Sequence, residues 1–185
     1  EFVPVLARTF AELGYRRTTT AELARRCDVR ENVLYRLWPD KKTMFIAAIE
    51  YVYELSSGIW ANLLSGDDRK QRAAQRLLEY ESEHHGEFGL YRLVFAGLNE
   101  TDDPEVRKAL STMYGRFHHF IRRQIESHRE DLLQKGRPDA EWSAWAVVGL
   151  GTVANIIREL GLMTPTRRKH FIAEAGRLLL EGRMT

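Results

Sequence analysis

One cysteine, Cys27, stands in a chain of 185 residues, so no internal disulfide framework exists. It is expected to pack as a small hydrophobe on a short helix, with a redox role as the alternative. No run approaches the roughly 20 consecutive apolar residues of a membrane span, and no signal peptide is visible, so a cytoplasmic protein is expected. Glycine-rich phosphate loops and a serine elbow are also missing, which removes the common sequence signatures of an enzyme and leaves no cofactor to assign. Metal chemistry has little to stand on. Glu81 and His84 make the chain's one Glu-x-x-His pair, whereas a di-iron bundle needs two such pairs and two further glutamates. His118 and His119 fall on different faces of one helix, and residues 81–87 read as a solvated, charged helix end. The pattern contains neither the alternation of strands nor internal repeats, and an all-α protein follows.

Net charge is equally sparse, at +2. Its placement matters more than its size: residues 1–50 hold nine Lys or Arg against seven Asp or Glu, and the rest balances at nineteen each. Attraction to phosphate therefore belongs to the N-terminal part, although so small an excess does not establish nucleic-acid binding. A hydrophobic content of 44% and a charged content of 29% are ordinary for a globular chain.

What the chain does have is concentrated in residues 18–42, TTTAELARRCDVRENVLYRLWPDKK. Thr20 is the expected N-cap of a short helix that buries Leu23, Ala24 and Cys27 on or beside one face. Asp28 interrupts it, and Val29 is a lone apolar residue placed to plug the angle to the next helix. That second helix is expected to bury Val33, Leu34 and Leu37. Arg30, Glu31, Asn32 and Arg36 are left facing outward. These are residue types that read base edges: Arg pairs bidentately with guanine, Asn with adenine, and Glu accepts from cytosine. Thr19, Thr20, Tyr35 and Lys41 suit phosphates, which position a protein without specifying sequence. Two short helices and a tight turn also occur in proteins that never meet DNA, and the same side chains would then form a plain solvated face.

The run DVRENVLYRLWPDKKTMF resembles the second half of the DNA-binding domain of TetR-family transcriptional regulators. The resemblance is carried by Val29 in the turn, Leu34 and Tyr35 in the second helix, and Trp38, Pro39, Asp40 and Lys41 leading into the next helix. Upstream, Phe10, Gly14, Tyr15 and Thr18 to Thr20 are similar to the end of the family's first helix and its link to the second. Two positions depart from the pattern: the family commonly has Gly where Asp28 stands, and another small residue at Asn32, which implies a different operator. The family often carries basic residues in an N-terminal arm, and since the chain begins at Glu1 without a Met, such an arm is expected to precede it. The resemblance implies a helix-turn-helix DNA-binding domain over residues 1–46 and an effector-binding and dimerisation domain over residues 47–185.

The remainder reads as helices over residues 42–64, 69–84, 90–98, 105–133, 139–160 and 166–181, separated by Gly, Pro and Asp clusters. The helix over 139–160 carries apolar residues around nearly its whole circumference, more than one packing face uses. Small residues Ala146, Gly149, Gly151 and Thr152 would admit a close neighbour. Either a second subunit covers the far side or the helix is buried within one chain. The resemblance implies the former, a four-helix seam between two subunits drawing on Val148, Thr152, Phe171, Ala175, Leu178 and Leu179. It also implies a small-molecule effector of unstated chemistry. Tyr80, Tyr91, Phe95, Tyr114, Phe117 and Trp145, with polar His118 and Asn155, are the candidate lining, although aromatic stripes at helical spacing equally serve as core. On this reading the chain is a homodimeric regulator, a repressor released from double-stranded operator DNA by its effector. An all-helical ligand or lipid carrier, or an enzyme without a DNA role, is the alternative.

Overall fold

A computed structural model describes residues 1–65, 72–130 and 138–182. These form nine α-helices and no strand: α1 Val3–Arg17, α2 Thr20–Arg26, α3 Glu31–Leu37, α4 Lys41–Ser65, α5 Ala73–His84, α6 Tyr91–Leu98, α7 Pro104–Glu130, α8 Ala140–Glu159 and α9 Pro165–Glu181. Every expected helix is present, with ends mostly shifted by a residue. The expected start at 69, the end at 133 and the breaks around 66–68 and 135–137 lie outside the described residues. No described helix is long and apolar enough to cross a membrane.

Two compact units divide the chain: Glu1–Ser57 with Phe88–Tyr114, and Gly58–Glu87 with Gly115–Thr185. The helices α1, α2 and α3 with the start of α4 form the head and lie wholly in the first. Its core is built from Leu6, Ala7 and Phe10 of α1, Leu23 and Ala24 of α2, Leu34 of α3, and Met44, Phe45, Ala48 and Ile49 of α4, all buried. Phe10 meets Phe45 edge-on at 4.9 Å between ring centres, and Tyr15 lies 4.7 Å from Phe45, so aromatic contact joins α1 to α4 within this largely aliphatic core. The α6 segment packs against α1 and α4 within this unit. Gly97 of α6 permits close approach to α7 and α4, since a Cβ there would sit 3.3 Å from the Leu110 side chain and 3.6 Å from that of Ile49.

The second unit has a core cluster of Ala74, Ile125, Ala144 and Leu180, flanked by Ile121, Ala140 and Val147. Arg129 near the end of α7 ties it together. Its guanidinium donates to the carbonyls of Leu179 (3.0 Å) and Leu180 (3.2 Å), closing the last turn of α9, and to Ser143 Oγ of α8 at 2.9 Å. Carbonyls in the last turn of a helix ordinarily lack an intrahelical donor, so a cation at that end serves both their hydrogen bonding and the helix dipole. On the opposite edge of α8, Trp142, Trp145, Val153, Ile156 and Leu160 are exposed.

Candidate nucleic-acid interface

The head presents α3 by bracing both ends of the turn that precedes it. Thr19, not Thr20, caps α2: its hydroxyl accepts from the Glu22 backbone N–H at 3.2 Å. The shift by one residue frees Thr20 for a different task. Its hydroxyl donates to Glu31 Oε2 at 2.7 Å and accepts from Tyr35 Oη at 3.1 Å, so a hydrogen-bonded chain runs from Tyr35 through Thr20 to Glu31 and pins α3 to α2. Glu31 is thus engaged within the head, whereas the exposed side chains of Arg30, Asn32 and Arg36 have no hydrogen-bond or ion-pair partner among the described residues.

Asp28 adopts φ 54°, and among the described residues it is the non-glycine residue in the left-handed region. The chain reverses there between α2 and α3, with the Val29 N–H donating to the Ala24 carbonyl at 3.0 Å. Aspartate tolerates this conformation better than most L-residues, and a β-branched residue tolerates it poorly. Replacing Asp28 with Val is expected to destabilise the head by ~1–2 kcal/mol, while Asp28→Gly leaves stability unchanged or raises it. Thermal denaturation of the two variants checks this, and equal midpoints would contradict it.

Burial along α3 differs from expectation at one position. Leu34 is fully buried and Val33 half-buried, but Leu37 is 57% exposed. It has the periodicity of a core residue, yet α3 ends with it, and Trp38 already has extended backbone. The last turn of so short a helix runs past its support.

Lys41 opens α4, where its positive charge opposes the helix dipole. Its ammonium instead reaches back to the end of α1, donating to the carbonyls of Tyr15 at 3.0 Å and Thr18 at 3.1 Å and lying 4.4 Å from the centre of the Tyr15 ring. Those carbonyls need partners because α1 is interrupted at Gly14, whose φ is 75°. Buried Thr18 completes the repair, donating to the Gly14 carbonyl at 2.6 Å. Asp40 caps α4 by accepting from the Thr43 N–H at 2.7 Å, and that hydrogen bond holds its carboxyl below the usual range.

Most other basic side chains of the head are similarly occupied, exposed Arg8 of α1 having no partner among the described residues. Glu22 accepts from Arg25 and Arg26 at 2.7 Å, and these hydrogen bonds bring its pKa down to about 2. Arg26 also pairs with Glu12, Arg16 with Glu100 at 2.9 Å, and Lys42 with Asp103 and Glu105. The Arg17 Nε donates to the Leu13 carbonyl. A modest excess of charge therefore becomes a focused one, because the arginines left without partners include both of those flanking Asn32 on and beside α3.

The eight candidate effector residues are divided between the units: Tyr91, Phe95 and Tyr114 in the first, Tyr80, Phe117, His118, Trp145 and Asn155 in the second. Tyr91 and Phe95 form an edge-on pair on α6. Tyr80 stacks on His84, Phe117 meets Trp60 edge-on, and His118 stacks on Trp145 at 4.4 Å. Trp145 is nevertheless 43% exposed. Asn155 Oδ1 is buried with no hydrogen-bond partner among the described residues. Among the described residues no group of three His, Cys, Asp or Glu side chains is arranged to hold a metal.

Of the candidate seam residues, Val148, Thr152, Phe171, Ala175 and Leu179 are half-buried and Leu178 is exposed. The barest apolar surface on α8 lies elsewhere. Trp142 (71% exposed), Trp145, Val153, Ile156 and Leu160 (65%) recur at three-and-four spacing, with exposed Gly149 among them. The sequence shows the surplus of apolar residues on this helix but not which of them are left uncovered.

Residues 5–48 match the family model described as "Bacterial regulatory proteins, tetR family". No curated protein matches the sequence. Solved structures match over nearly the whole length. A TetR-family transcriptional regulator from Cytophaga hutchinsonii is 15% identical with a TM-score of 0.79, covering 100% of this chain and 94% of the other. The transcriptional regulator FadR from Bacillus subtilis, solved in complex with stearoyl-CoA, is 13% identical with a TM-score of 0.75, covering 99% and 98%. The TetR-family regulator PfmR from Thermus thermophilus is 18% identical with a TM-score of 0.66, covering 100% of both. At these identities the likeness is one of fold.

Proposed function

We propose, taking as premise that the chain belongs to the TetR family of transcriptional regulators, that it is a cytoplasmic homodimeric repressor released from operator DNA by a small molecule. The observation that carries this reading is the pattern of partners in the head. Most of its basic side chains are paired or turned inward, whereas Arg30, Asn32 and Arg36 stand exposed and unengaged on and beside a helix braced from behind. Exposed side chains of these types on a helix of this kind suit the major groove. Thr19 and Tyr35 flank them and suit phosphates, with Tyr35 exchanging its hydrogen bond to Thr20 for one to the backbone of DNA. Lys41 retains one donor for the same purpose, and Glu31 acts by holding Thr20 and Tyr35 in place.

Dimerisation through α8 and α9 supplies the second head. The exposed stripe from Trp142 to Leu160 is the kind of apolar surface that a like helix covers, and Val148, Thr152, Phe171, Ala175, Leu178 and Leu179 are taken to join it in the seam. A two-fold pair sets two copies of α3 against half-sites ~34–36 Å apart or at a related spacing. Repression is the simplest outcome, since occluding a promoter requires only binding. An effector lodged among the aromatic residues of the second unit, Tyr80, Phe117 and Trp145 with His118, would favour one of two conformations. The unpartnered Asn155 Oδ1 is a suitable anchor for a donor on that molecule.

Selection of bound duplexes from a random pool tests the proposal. An enriched inverted repeat is the expected result, and recovery of no common sequence contradicts it.

A further inference from the structure

Leu37 of α3 is 57% exposed, more than any other large apolar side chain of the first unit. A lone exposed leucine is ordinary on a protein surface, but this one stands on the helix that a helix-turn-helix offers to DNA. Successive residues of a helix are turned by about 100°. Measured around α3 from buried Leu34, Asn32 and Arg36 therefore project at about 160° and 200°, the middle of the outward face. Tyr35, at about 100°, lies on one flank, where its hydroxyl reaches Thr20 and, through it, Glu31. Val33 and Leu37 lie one turn apart on the other flank, at about 260° and 300°. One flank of α3 is thus polar and the other aliphatic.

The backbone past Leu37 has little to give a phosphate. Pro39 has no N–H, the Trp38 N–H donates to the Leu34 carbonyl at 2.9 Å, and the Asp40 N–H donates to Thr43 Oγ1 at 3.4 Å. The Asp40 carboxylate is itself an anion and repels another. Of the groups that base pairs present in the major groove, the 5-methyl of thymine is the apolar one, set among hydrogen-bond donors and acceptors. An isobutyl side chain against that methyl removes apolar surface of both from water, and against any other base edge it strands a polar atom.

We propose that Leu37 is a specificity-determining residue that reads the 5-methyl group of a thymine in each operator half-site, from the flank it shares with Val33. This rests on the reading of α3 as the helix that enters the groove, and adds to it a base that no hydrogen bond selects. Glu31, held by the Thr20 hydroxyl at 2.7 Å, is withdrawn from cytosine. The half-site then combines guanine or adenine opposite Arg30, Asn32 and Arg36 with thymine opposite Leu37.

Operator duplexes in which single thymines are replaced by deoxyuridine test the proposal, since the exchange removes one methyl group and keeps every hydrogen-bonding atom of the base. The duplex is the one selected from the random pool, and the protein is the 185-residue chain. At one thymine of each half-site, the unaltered protein should bind the uracil form roughly fourfold less tightly for each methyl removed. Leu37→Ala should bind the two forms alike, and Leu37→Met should keep the penalty. Because Leu37 is exposed at a helix end, both variants are expected to retain the helix content and thermal midpoint of the unaltered chain. Uracil penalties that are the same in Leu37→Ala as in the unaltered protein at every thymine overturn the proposal and leave the DNA-reading role of α3 intact. A pool that yields no common sequence overturns that role and the proposal with it.

Discussion

Replacing Arg36 with Ala is expected to weaken binding to the selected operator by ~1–3 kcal/mol per half-site and to relax base preference at one position in each. The size follows from the state of the side chain before binding. Arg36 is exposed and has no partner among the described residues, so its removal disturbs no contact within the head and the measured loss belongs to DNA. Arg25 provides the internal control. It is just as basic and also exposed, but it is engaged by Glu22 through two hydrogen bonds of 2.7 Å, and Arg25→Ala should change affinity far less. Tyr35→Phe discriminates between the two kinds of contact, since loss of a phosphate partner weakens binding to all sequences alike. Competition binding against duplexes altered one position at a time reads out all three variants. Unchanged affinity in Arg36→Ala would remove α3 from the interface.

Converting Ile156 to Asp is expected to have the larger effect on assembly. Ile156 and Val153 are substantially exposed in the single chain, so a charge at either position is tolerated by the fold. In a two-fold seam the same charge appears twice and loses its water, at a cost on the order of 4 kcal/mol or more. The dimer should then dissociate ~1,000-fold more readily. Operator affinity should fall with it, because two half-sites no longer bind as one unit. Sedimentation together with circular dichroism separates this from unfolding: the expected species is a monomer with unchanged helix content. A variant that remains dimeric would move the interface away from this stripe.

These two experiments address features that differ in how far sequence could reveal them. The head was legible because its determinants are local. Leu23, Ala24, Val29 and Leu34 lie within twelve residues of one another, and the turn chemistry of Asp28 is written at a single position. The exposure of Leu37 was not legible, because its spacing is that of a core residue and only the termination of α3 leaves it bare. The one-residue shift of the α2 cap from Thr20 to Thr19 was also hidden, since both threonines satisfy the same preference. On α8 the surplus of apolar residues was plain, but the rotation of the helix is set by which side chains it buries. Ser143, Ala144, Ala154 and Ile157 face inward, and that choice turns Trp142, Val153, Ile156 and Leu160 outward. Glu81 does not lie on a solvated helix end: its contacts with Trp60 and His85, and that of His85 with the Gly151 carbonyl, span 4 to 66 positions along the chain. Periodicity places Glu81 and His85 one turn apart at the end of α5, yet nothing in it brings a glycine carbonyl from another helix against the ring.

The central claim, that this chain reads DNA sequence through α3, is tested most directly by its affinity for the selected duplex and for a scrambled duplex of equal length, each measured across a range of salt. The account predicts binding to the selected duplex roughly 1,000-fold tighter or better, with both affinities falling as salt rises. Equal affinity for the two duplexes would contradict it.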